Sequence, residues 1–115
     1  MIVLPRERFE QLVSEALDSL PIDLGHAMEN VAVVVDDGED PALLGLYEGI
    51  PLTSRYHYGG IGMALPDRIT IYQLAICGRC NTEEQVAAEV RRVVIHEVGH
   101  HFGIDDGRLQ ELGWG

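Results

Sequence analysis

The segment that most restricts the fold runs from Asn81 to Gly103, NTEEQVAAEVRRVVIHEVGHHFG. Its interior is rich in Glu, Gln, Ala, Val and Arg and contains no proline, which gives it strong helical character. Both ends carry punctuation. Asn81 and Thr82 are N-cap residue types, and each has a partner three positions on, Glu84 or Gln85, able to close a capping box. Gly103 suits the position just past a helix C-terminus. A chain of 115 residues fits one domain, residues 1–115, with one compact sheet-and-helix arrangement and a thin core.

The remaining elements follow from periodicity. PRERFEQLVSEALDSL reads as an amphipathic helix whose buried face is Phe9, Leu12, Val13, Ala16, Leu17 and Leu20, with Pro21 as its stop. VAVVV, Val31 to Val35, is a β-branched run that fits an inner strand, followed by the turn DDGEDP. LLGLYEG, ending at Gly49, is a second strand, and RITIYQLAI, Arg68 to Ile76, is the third main strand. Between them lies a long Gly-, Tyr- and Pro-rich segment of the kind that often carries function in compact domains. DDGRLQELGW adds one short final turn of helix. The order helix, strands, helix predicts a small α+β layer structure.

Composition narrows the partners. The net charge of -11 repels phosphates, so nucleic acid and anionic lipid surfaces are not expected partners. No stretch approaches the roughly 18 apolar residues of a membrane helix, and the apolar run Ile2 to Leu4 is too short for a signal peptide; a cytoplasmic location is expected.

Chemistry concentrates in HEVGHHFGIDD, His96 to Asp106. On a helix, residues four apart share a face with Cβ atoms about 5–6 Å apart. Two imidazoles so placed can converge on one zinc ion at about 2.0–2.1 Å. Glu97 advances about 100° from His96, so it flanks such an ion and can accept a proton from water held there. Gly103 lets the chain reverse, and Asp106 can then supply a carboxylate as third ligand. His96, His100 and Asp106 leave a fourth position for water, the pattern of a catalytic site. Asp105 is the other acid at hand, but pairing it with His101 would leave the His96–His100 pair unexplained.

HEVGHHFGIDD resembles the extended zincin motif of metzincins, with aspartate in place of the third histidine. LLGLYEGIPLTSR, LPDRITIY and VVIHEVGHHFGIDDGRLQELGW together resemble the small bacterial zincin-like metallopeptidases, one-domain minimal zincins. The resemblance covers most of the chain from about Leu43 onward. It implies a zincin-like α+β fold, a small mixed β-sheet packed against an N-terminal helix and a C-terminal active-site helix. It also implies one Zn2+ ion and neutral metallopeptidase activity. His96, His100 and Asp106 match the family's ligands and Glu97 its general base. The sequence departs from metzincins in that Met1, Met28 and Met63 all precede the motif, and nine residues follow Asp106. The C-terminal wall of a protease cleft is therefore expected to be missing. A peptide or protein substrate would pair with an exposed sheet edge, and a second copy or another partner would complete the cleft.

Other features carry weaker signals. Tyr56 and Tyr58 in the Gly-rich segment could steady the oxyanion of a tetrahedral intermediate, though surface packing also accounts for them. His101 is adjacent to a candidate ligand but points elsewhere on the helix, and reads as a flanking or ligand-supporting group rather than a ligand. Cys77 and Cys80 form CGRC, either a turn with two incidental thiols or a redox dithiol. Two rivals to a peptidase stand beside it: a non-proteolytic zinc-binding interaction module, and a redox protein working through that CxxC pair.

Overall fold

The structure is a computed structural model that describes residues 1–20, 31–49, 67–104 and 106–111; the side chains of residues 106, 109 and 110 fall outside that description. The elements are α1 (Arg6–Asp18), β1 (Val31–Asp36), β2 (Gly45–Glu48), β3 (Asp67–Tyr72), α2 (Gln73–Gly78), α3 (Glu83–His101) and α4 (Asp106–Glu111). This is the expected α+β arrangement.

Helix α1 buries Phe9, Leu12, Val13 and Ala16 on one face, as the i, i+3, i+4, i+7 spacing requires. Leu20 is also buried and Leu17 packs at the margin of the same cluster. The helix ends at Asp18, where Ser19 donates its hydroxyl to Ala16 O at 2.7 Å; Pro21 lies outside the described residues.

The three strands form one mixed sheet in the order β1-β3-β2. β1 runs parallel to β3 from Val31↔Asp67 to Asp36↔Tyr72, and β2 runs antiparallel to it from Gly45↔Ile71 to Glu48↔Arg68. Two expectations change here. VAVVV is not the inner strand: among the described strands β3 is central and β1 is at the margin, half-buried with Val34 exposed. Arg6 of α1 caps that margin by donating to Val35 O at 2.9 Å and pairing with Asp37. The third strand also ends early. The ladder with β1 closes at Asp36↔Tyr72 and that with β2 at Gly45↔Ile71; one further bond follows on each side, Leu74 N to Asp37 O and Tyr72 N to Leu44 O, both 3.0 Å, and residues 73–78 form helix α2. Gln73 fixes its start by donating to Leu4 O at 2.9 Å.

Helix α3 is the spine. Thr82 is its N-cap, with extended backbone, and its hydroxyl accepts from Gln85 N at 3.2 Å. Gln85 reaches back to Asn81 N at 2.7 Å, one residue earlier than an ordinary capping box. Val86, Val90, Val93, Val94 and Val98 run down its buried side. They meet Phe9, Leu12 and Val13 of α1, Ile69 and Ile71 of β3, and Ile76 and Cys77 of α2 in one core. Each such valine contributes about 1.5–2 kcal/mol by leaving water.

The far end closes as its glycine predicts. Gly103 has φ +72°, and two hydrogen bonds seal the turn: Gly103 N to His100 O at 3.0 Å and Ile104 N to Gly99 O at 2.8 Å. α4 starts two residues later, so Asp106 occupies the first helical position after the reversal.

Candidate metal centre

The last two turns of α3 carry His96, Glu97, His100 and His101. Their helical phase distributes them between sheet and solvent. His96 and His100 are half-buried, whereas Glu97 and His101 are only 8% and 2% exposed. The His96 and His100 rings lie 5.1 Å apart between centroids, at 65° to each other. Glu97 Oε1 sits 3.2 Å from His100 Nδ1. Two imidazoles and one sheltered carboxylate are thus drawn together by α3 alone.

Burial of Glu97 depends on a glycine in β2. A Cβ on Gly45 would come within 2.7 Å of Val93 Cγ1 and 3.1 Å of Glu97 Cγ. Only a residue without a side chain lets β2 approach α3 this closely, and β2 then forms a wall beside the carboxylate.

The donor types suit zinc: two imidazoles one helical turn apart, with an aspartate in the sequence at the start of α4. The end of α3 favours a cation as well, because the C-terminus of a helix carries partial negative charge. Among the described residues no group of three His, Cys, Asp or Glu side chains is drawn together closely enough to hold a metal ion. The Asp106 side chain lies outside that description, as do Asp105, Tyr56 and Tyr58.

His101 lies on a different face of α3 from His96 and His100. Its ring turns into the interior, with Nδ1 2.8 Å from Asp67 Oδ2, and stacks edge-on against Tyr47 and Phe102. Tyr47 donates its hydroxyl to the same Asp67 oxygen at 2.7 Å. Sequence reasoning did not single out Gly45, Tyr47 or Asp67. The available signal was a histidine immediately after a candidate ligand, which needs a polar partner if it faces the core.

Cys77 and Cys80 are both buried and neither is in a disulfide. Burial pushes the Cys77 thiol above its ordinary value, with Cys80 adding to the shift; burial also raises Cys80, helped by Glu89. A redox dithiol needs the opposite shift. The CGRC segment is the end of α2 and the turn after it, with both thiols packed into the core and Gly78 and Arg79 exposed. The acidic run Asp36 to Asp40 is a solvated turn in which Asp40 caps Ala42 N at 2.9 Å.

Comparison with known proteins agrees with this geometry. The family model described as zincin-like metallopeptidase matches residues 27–114, which includes both histidines, Glu97 and Asp106. No curated protein matches the chain. Among solved structures, a conserved hypothetical protein from Thermo thermophilus aligns with a TM-score of 0.59 at 24% identity, covering 95% of this chain and 97% of that one. That likeness is one of fold. No helix among the described residues is long and apolar enough to cross a membrane. With its matched span covering most of the sequence, the chain belongs to the zincin-like metallopeptidase family.

Proposed function

We propose that the protein is a zinc-dependent peptidase in which His96, His100 and Asp106 hold one zinc ion and Glu97 is the general base. The observation that carries this reading is the Glu97 carboxylate, 8% exposed and 3.2 Å from His100 Nδ1, beside a second imidazole on the same helix face. A zinc ion held there would supply Lewis-acid polarisation of a carbonyl and a more acidic water.

The chain's own groups do the rest. Glu97, sheltered by Gly45 and Val93, takes a proton from the attacking water and passes it to the nitrogen of the leaving amine. Its burial keeps competing water away from the carboxylate. β2 lies at the margin of the described sheet, so an extended peptide could align along it as an added strand, its backbone recognised more than its side chains. Loose sequence specificity follows from that mode, and a second copy or a protein substrate would supply the opposite wall of the cleft.

The test is digestion of a peptide library by the zinc-loaded wild type and by Glu97→Gln. The variant should retain zinc yet lose cleavage by about 10³-fold, within the range for removing a general base. Equal cleavage by both proteins would refute the assignment.

A further inference from the structure

Asp67 lies outside the zincin motif, yet it joins three elements at the site. Its Oδ2 accepts the Tyr47 hydroxyl from β2 at 2.7 Å and lies 2.8 Å from His101 Nδ1 of α3, while its own backbone begins β3. Asp67 is 4% exposed and His101 2%. Among the described residues His101 Nε2 is buried without a hydrogen-bond partner. A phenylalanine at 101 would fill similar space and leave no nitrogen unpaired. What it could not do is bridge to Asp67.

The bridge sits where it has leverage. His101 follows His100 directly, and consecutive helical residues point about 100° apart. Holding the His101 ring at the sheet therefore fixes the rotation of α3 about its axis at the turn that presents His96, Glu97 and His100. Valine packing resists separation of helix and sheet, but it is non-directional and resists rotation poorly. A hydrogen bond to a buried carboxylate is directional. The Tyr47 hydroxyl adds the edge strand to the same anchor, two residues from the Gly45 contact with Glu97.

We infer that Tyr47, Asp67 and His101 are positioning residues: a buried hydrogen-bonded bridge that sets the angle at which α3 offers its histidines to the zinc ion and locks β2 beside Glu97. This rests on the proposed zinc site.

The test compares Asp67→Ala, Asp67→Asn and Tyr47→Phe with Val13→Ala, a core variant on α1 away from the site. Three quantities are read: zinc affinity by competition with a chromophoric chelator, the visible absorption of the cobalt(II) form, and the melting temperature of the metal-free protein. Asp67→Ala should weaken zinc by about tenfold or more, as loss of a group that orients a ligand does, and alter the cobalt spectrum. Tyr47→Phe should weaken it a few-fold. Asp67→Asn, whose amide oxygen can still accept both bonds, should recover most of the affinity. Val13→Ala should lower melting and leave zinc affinity and the cobalt spectrum unchanged. If Asp67→Ala does not fold, Tyr47→Phe decides. Folded Asp67→Ala and Tyr47→Phe proteins that bind zinc and cobalt as the wild type does would overturn the inference and leave the proposed function standing. A wild type that binds no zinc would overturn both.

Discussion

The two halves of α3 are held in different ways. From Glu83 to Val94 the helix is fixed by Thr82 at its cap and by Val86, Val90, Val93 and Val94 in the core. From Ile95 to His101 the buried positions include Glu97 and His101, and the sheet answers them with a glycine, a tyrosine and an aspartate. The first half is secured by apolar area, which tolerates small changes of angle. The second is secured by close approach and directed hydrogen bonds, which do not. A site that must aim two imidazoles and a carboxylate needs the second kind of support.

That contrast can be broken from either side. At the site end, Gly45→Val would drive a side chain into Val93 and Glu97, costing about 3 kcal/mol by overpacking and reducing zinc affinity as well; denaturant unfolding with zinc titration measures both. At the apolar end, Val90→Ala should cost about 2 kcal/mol but leave zinc affinity unchanged in the same assays. A smaller effect is expected at the core next to α2. With the Cys77 and Cys80 thiols raised by burial above 9.0, the unfolded chain loses their protons first as pH rises. The stability they contribute is therefore complete below the unfolded thiol pKa and declines as pH rises from there toward their folded values. Unfolding midpoints should fall above about pH 9, and less so in Cys77→Ala than in the wild type. Native thiols should also react with a disulfide reagent far more slowly than urea-unfolded ones.

The same division explains what was legible in the sequence. Local signals were read well: the α1 face, Thr82 with Gln85, the glycine ending of α3, and the His96–Glu97–His100 cluster all lie within a few residues of each other and follow from helical phase. Readings that needed a partner were weaker. The strand expected to reach Ile76 stopped at Tyr72, where the ladders with β1 and β2 close, and where they close depends on residues distant in sequence. VAVVV looked like an inner strand because β-branched residues suit any half-buried strand. Helical phase turned His101 away from the candidate ligands but could not name its partner, because Asp67 is 34 residues away in sequence. Gly45 read as an ordinary strand residue, since the contact that demands a glycine comes from α3.

The central claim is that the end of α3 together with Asp106 binds zinc. Metal analysis of the purified protein, never exposed to chelator and supplied with zinc, tests it most directly. The account predicts one zinc ion per wild-type chain, with none retained by His100→Ala and little by Asp106→Ala. A wild-type protein that holds no zinc under those conditions would contradict it.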